Sequence, residues 1–188
     1  MVAKNKEEAQ EGRKDDADLV LVDLFDRELG FIDKAAAHAR PRLHRAFSIM
    51  LVDDTAPVPR VLLQRRAEGK YHSGGLWANT CCSHPRKGEP LLVAAARRLE
   101  EEMGICCELR EIGSFVYLYR FAPDLFEYEF DHVLVGSYNG PCSPDPDEAS
   151  ETAWVSLEEL TQSLVERPQN YVPWLPMVAV LVTREVEA

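Results

Sequence analysis

Trp77–Ile105 reads W-A-N-T-C-C-S-H-P-R-K-G-E-P-L-L-V-A-A-A-R-R-L-E-E-E-M-G-I. A loop with two cysteines and a histidine runs straight into a helix that ends in three glutamates, a methionine and a glycine. Glu89-Pro90 marks the helix start, with Pro90 at the first helical position, where its missing N–H costs nothing. Leu92, Ala95, Ala96, Leu99 and Met103 recur at helical spacing and predict the apolar face. Arg98, Glu101 and Glu102 fall together on another face, and Gly104 stops the helix. Three acids at a helix C-terminus oppose the macrodipole, which prefers cations there. The stretch therefore reads as a loop holding a reactive thiol and a metal ligand, and a helix end holding a second metal.

The rest of the chain is read by what could reach this stretch. Its 188 residues fit a single domain, with residues 1–18 as a charged, disordered tail and 19–188 as the folded unit. The N-terminus has no apolar signal region and no run is long enough for a membrane helix, which predicts a cytoplasmic protein without a membrane partner. The five cysteines are expected as reduced thiols, and no C-x-x-C pair predicts a zinc knuckle. A net charge of -11 argues against nucleic acid as a partner. The charge is uneven: Phe121 to Glu166 holds no Lys or Arg, while Lys34 to Arg98 is rich in both. A small anion could bind the basic half and cations the acidic half.

Leu19–Phe25 is predicted as a strand, turning at Asp26–Gly30 and resuming at Phe31-Ile32. Lys34–His44 contains Pro41 and cannot be one uninterrupted helix, so it is read as a partly helical loop delivering His38 and His44. Arg45–Val52 and Arg60–Arg65 form a hairpin, and Gly74-Gly75 marks a tight turn. Strands follow at Glu108–Ile112, Phe115–Arg120 and Phe126–Tyr138. In the last, Glu127, Glu129 and Asp131 share one face, while His132 points to the other. Carboxylates in a row on one sheet face repel unless a cation sits among them. After a proline-rich acidic loop comes a short strand, Thr152–Val155. Ser156 and Glu159 form a capping box for the helix Leu157–Glu166. Pro173 starts a final apolar helix carrying Trp174 and Met177.

Three histidines (His38, His44, His84) and two strand carboxylates (Glu127, Glu129) suit a divalent ion; zinc, manganese or iron would fit. His72 and His132 are set aside as ligands, Asp131 stands one step beyond the set, and Cys81, Cys106, Cys107 and Cys142 are read as chemically inert.

The helix resembles a degenerate Nudix box, G-x5-E-x7-R-E-U-x-E-E-x-G-U, running from Ser83 through Glu89, Arg97, Arg98, Leu99, Glu101, Glu102, Gly104 and Ile105. Ser83 replaces the first glycine, and Arg98 replaces a glutamate that hydrolases use for metal. With R-L-H-R-A-F-S, N-T-C-C-S-H-P, the Tyr119-Arg120 pair and E-Y-E-F, the chain resembles type I isopentenyl-diphosphate isomerases from about Leu19 to Met177. The resemblance implies an α+β Nudix fold, with mixed β-sheets sandwiched between helices and the loop-helix near the centre. It implies conversion of isopentenyl diphosphate to dimethylallyl diphosphate in isoprenoid biosynthesis by a monomer or weak dimer. A Nudix pyrophosphohydrolase acting on a nucleoside diphosphate derivative is the alternative.

The resemblance also assigns roles. Cys82 and Glu129 are the two acid/base groups, and Tyr119 assists Glu129. His38, His44, His84, Glu127 and Glu129 hold Zn2+ or Mn2+. Glu102 and the Cys82 carbonyl hold Mg2+ with the substrate diphosphate. Lys34, Arg66, Lys70 and Arg98 contact that diphosphate, and Trp174 closes over the hydrocarbon end. The His38–His44 segment is one residue shorter than in some relatives.

Overall fold

The computed structural model describes residues 18–188, so most of the predicted tail lies outside the described residues. In chain order the strands begin with β1 (Leu19–Val22) and β2 (Glu28–Ile32), followed by helix α1 (Lys34–Ala39). Next come β3 (His44–Asp53), β4 (Arg60–Arg66), β5 (Trp77–Ala78), β6 (Cys81–Ser83) and α2 (Leu91–Met103). The chain then forms β7 (Arg110–Ala122), β8 (Leu125–Ser137), β9 (Ala149–Ser156), α3 (Leu157–Glu166) and α4 (Leu175–Val186).

β3 is the axis of the sheet. It runs parallel to β8, with His44 opposite Glu129 and Ser48 opposite Val133. It is antiparallel to β1, β4 and β6. Its run A-F-S-I-M-L-V is covered on both faces, as expected of a strand in the middle of a sheet. Phe47, Ile49 and Leu51 meet Ala94, Ala95, Leu99 and Met103 of α2. Met50 and Val52, from the other face, meet Leu175, Val178 and Val182 of α4. Each fully buried Leu or Val contributes roughly 1.5–3 kcal/mol. The result is one mixed sheet between helices, as the resemblance implied.

Several local expectations shift. β1 ends at Val22 rather than Phe25, because the Asp23 carboxylate accepts from the Phe25 and Arg27 N–H groups at 2.8 and 3.0 Å and turns the chain. The partly helical loop resolves into α1, capped by Asp33 and finished before Pro41. The two strands before Phe126 are one, β7, with its register broken at Gly113. The cysteine loop is a short strand, β6. Pro90 is the residue before α2 rather than its first.

The buried face of α2 is also rotated from the predicted one. Leu92 and Ala96 are exposed, while Arg98 and Glu102 are buried beside Leu99 and Met103. A count of apolar residues cannot place a buried ion pair on the inner face, and Arg98 bonds Glu102 at 2.5 Å. Gly104 ends α2 at φ 65, and the capping box of Ser156 and Glu159 is formed.

Candidate active site

The register of β3 and β8 decides where the polar groups go. Glu127, Glu129 and Asp131 alternate onto the face that continues into Val133 and Val135, the α4 side. His44 enters on β3 opposite Glu129, His38 comes from α1, and His84 follows β6. One donor atom from each of His38, His44, His84, Glu127 and Glu129 lies within 4.8 Å of all the others. The His38–His44 segment spans from the α1 end to the β3 start, with the two rings 5.2 Å apart.

The hydrogen bonds around these rings orient them. His38 Nδ1 donates to the Lys34 carbonyl at 2.6 Å, and His44 Nδ1 donates to the Arg42 carbonyl at 2.8 Å. In the neutral rings Nε2 is then a lone pair. His38 Nε2 faces Glu127 Oε2 at 3.1 Å, and His44 Nε2 faces Glu129 Oε1 at 3.6 Å. His44 Nε2 is buried without a hydrogen-bond partner. Burial lowers the His38 pKa but Glu127 raises it overall, so a proton on Nε2 or a cation can meet the carboxylate there. Five such atoms within 4.8 Å of one another, with His44 Nε2 unpartnered, fit a divalent metal ion. Burial opposes ionisation of Glu127, but His38 and His72 outweigh it and hold the carboxyl well below the usual range. Burial and Glu127 oppose ionisation of Glu129, and His44 and His84 bring it below its ordinary value.

The sulfur lies beside this cluster. β6 pairs Cys82 with Ser48 and Cys81 with Ile49, so the adjacent cysteines part company. Cys81 is wholly buried against α2, whereas Cys82 lines the cavity. Cys82 Sγ donates to Asn79 Oδ1 at 3.1 Å, and the same oxygen accepts from Trp174 Nε1 at 3.1 Å. Ser48 Oγ donates to Asp131 Oδ2 at 2.8 Å, with Cys82 Sγ 3.9 Å away. Burial, reinforced by Asp131 and opposed by Arg66, pushes the Cys82 thiol up to about 12. It therefore holds its proton at neutral pH.

Part of the cavity lining is basic. Lys34, Arg66, Lys70 and Arg98 all line the cavity, together with Glu102 and Glu148. Arg98 bonds Glu101 at 2.9 Å as well as Glu102. Lys70 pairs with Glu148, and Arg98 reaches the same carboxylate at 3.4 Å. Burial raises the Glu102 carboxyl above its ordinary value, against the pull of Arg98. The box residues Glu89 and Arg97 instead bond each other at 2.7 and 2.9 Å, tying the loop to α2.

A NUDIX domain profile matches residues 42–175. The isopentenyl-diphosphate Delta-isomerase 2 of Aromatoleum aromaticum is 53% identical over 157 residues, covering 84% of this chain and 82% of the relative. This chain belongs to the isopentenyl-diphosphate Delta-isomerase family. The isomerase of Burkholderia multivorans is 47% identical over 156 residues, covering 83% of this chain and 87% of its own. Among solved structures, DR0079 from Deinococcus radiodurans is similar in fold, with a TM-score of 0.70 at 18% identity; the match covers 88% of this chain and 98% of that one.

In this isomerase-family chain the contact with Glu129 expected of Tyr119 is made by Tyr117. Tyr119 is 44% exposed and packs its ring on Phe121 at 4.7 Å. Tyr117, directly opposite Glu129 in the β7–β8 register, donates its hydroxyl to Glu129 Oε2 at 2.6 Å. Both tyrosines lie on the same face of β7, so alternation could not separate them; only the register does. Ser48 and Glu148 are not singled out by the sequence, because their partners Asp131 and Lys70 lie 83 and 78 residues away, and Asn79 enters only as part of its motif. We expect Tyr117→Phe to lower kcat by about tenfold or more. Tyr119→Phe should stay within roughly twofold, as for an exposed side chain whose hydroxyl makes no bond to Glu129. Equal losses in the two variants would refute the reassignment.

No helix among the described residues is long and apolar enough to cross a membrane.

Proposed function

We propose that this chain isomerises isopentenyl diphosphate to dimethylallyl diphosphate. A proton is added to the terminal alkene carbon and another is removed from the neighbouring methylene, through a tertiary carbocation. The observation that carries this reading is one cavity shared by Cys82, which holds a proton, and Glu129, an ionised carboxylate. Two positioned proton-handling groups are the minimum for such a transposition, and each typically contributes ~10²–10⁴-fold.

The remaining walls suit the rest of the substrate. Trp174 and Tyr117, with ring centroids 6.1 Å apart, both line the cavity and would offer π faces to the hydrocarbon end. Each can offer a carbocation roughly 0.5–2 kcal/mol. Their bulk also excludes water, which would trap the cation. Lys34, Arg66, Lys70 and Arg98 supply the charge that a diphosphate needs. Mg2+ at Glu102 and the Cys82 carbonyl would neutralise the rest. Zn2+ or Mn2+ would be held by His38, His44, His84, Glu127 and Glu129. Bound there, the ion would keep Glu129 in its charged form and fix its position.

The hydrolase alternative is disfavoured by Arg98, whose guanidinium bonds Glu101 and Glu102 and places positive charge where a metal-loaded box needs carboxylate. The cysteines among the described residues are free thiols, which supports a reducing, cytoplasmic location. The test is incubation with isopentenyl diphosphate and magnesium in heavy water. Deuterated dimethylallyl diphosphate without phosphate release is the expected product; phosphate release alone would falsify the proposal.

A further inference from the structure

His72 lies outside the donor set and faces it. It follows Tyr71 in the turn between β4 and β5, and its side chain is 4% exposed. His72 Nε2 lies 2.6 Å from Glu127 Oε1, and the Tyr71 hydroxyl donates to the same oxygen at 3.1 Å. His72 Nδ1 lies 3.1 Å from Ser73 Oγ. An ionised carboxylate can only accept, so the proton sits on Nε2 and donates to Glu127, and the Ser73 hydroxyl, free to turn either way, donates to Nδ1. The ring is also stacked on Phe121, 4.3 Å between centroids and 19° between planes.

The turn that carries His72 is itself held in place. Ser73 has φ 53, a region that side chains rarely adopt. A Cβ at Gly74 would lie 2.6 Å from the Glu68 carbonyl oxygen, so the backbone passes where only glycine fits.

The two oxygens of Glu127 are therefore divided. Oε1 is occupied by donors from His72 and Tyr71, while Oε2 faces His38 Nε2 at 3.1 Å. Glu129 is divided in the same way, with Oε2 taken by Tyr117 and Oε1 facing His84 at 2.9 Å. We infer that His72 is a positioning residue that reserves one oxygen of Glu127 for the metal, making this carboxylate a one-oxygen ligand. The inference rests on the metal reading given above. It predicts a site that favours compact transition-metal ions over Ca2+, which accepts carboxylates through both oxygens and takes more ligands.

The experiment titrates metal-free protein with zinc against a competing chromogenic chelator. His72→Phe keeps the ring on Phe121 and removes the donor; His72→Gln loses the ring and restores a donor. Zinc affinity should fall about 10–100-fold in His72→Phe, the range typical of lost partners behind a metal ligand, and return to within about threefold of the parent in His72→Gln. Tyr71→Phe, at a half-exposed position where folding is not at stake, removes the second donor and should weaken zinc by about threefold. A role in packing alone would give the reverse order, with His72→Phe at parental affinity and His72→Gln the weaker. That order, or unchanged affinity in both His72→Phe and Tyr71→Phe, overturns the inference while leaving the metal site standing. A parent protein that binds no zinc overturns the metal reading and this inference with it.

Discussion

Cys82→Ala is expected to lower kcat for isopentenyl diphosphate by about 10²–10⁴-fold while the protein stays folded. The sulfur donates to Asn79 Oδ1 and meets the Ser48 hydroxyl at 3.9 Å, a hydroxyl that also bonds Asp131, and the side chain is only partly buried, so little packing is lost. The same Asn79 oxygen still accepts from Trp174 Nε1, so no buried acceptor is orphaned. What disappears is the proton. Burial and the neighbouring Asp131 push the thiol up to about 12, so it meets the alkene as S–H rather than as a nucleophilic thiolate. Cys82→Ser tests the same point from another side. A hydroxyl keeps the bond to Asn79 and remains a far weaker acid, so turnover should stay low although the geometry survives. Steady-state rates, circular dichroism and deuterium incorporation separate these effects. A folded Cys82→Ala protein retaining more than about one tenth of parental kcat removes Cys82 from the chemistry.

The parts of this site that were legible in sequence are those that depend on period. Alternation along E-Y-E-F-D-H put Glu127, Glu129 and Asp131 on one face and His132 on the other. The structure agrees, with His132 turned away to Glu111 and Asp26 at 2.7 and 3.1 Å. Adjacency separated Cys81 from Cys82 for the same reason. Helix signals were equally local, as at Gly104 and at the Ser156–Glu159 box.

What escaped depends on register and on long-range partners. Tyr117 and Tyr119 have equal phase on β7, and only pairing with β8 sets Tyr117 against Glu129. Leu92 looked like core, because Arg98 and Glu102 did not. Their charges cancel across 2.5 Å, and a pair that satisfies itself can be buried where hydropathy forbids each member alone. His72 was set aside as a ligand, and the contact that gives it meaning is to a carboxylate 55 residues away.

Glu129→Gln should abolish turnover in a way that added metal does not repair, and this distinguishes it from Glu127→Gln. Both carboxylates belong to the metal-binding donor set, so each amide should weaken zinc or manganese by roughly 10–100-fold. For Glu127 that is the whole effect: its second oxygen is occupied by His72 and Tyr71 and faces no reacting atom. Raising the metal concentration should therefore return Glu127→Gln towards parental kcat. Glu129 has a second role. Its Oε2 meets the Tyr117 hydroxyl at 2.6 Å inside the cavity, and with Cys82 it makes up the pair that must give and take a proton. An amide keeps the shape and accepts from Tyr117, but it cannot take up a proton at neutral pH. A loss of about 10²–10⁴-fold should thus persist at saturating metal, equivalent to about 3–5 kcal/mol of barrier. The measurement is kcat against metal concentration for both variants, with bound metal determined on the same samples. If Glu129→Gln recovers along with Glu127→Gln once metal is bound, Glu129 is a ligand alone and the second proton-handling group lies elsewhere.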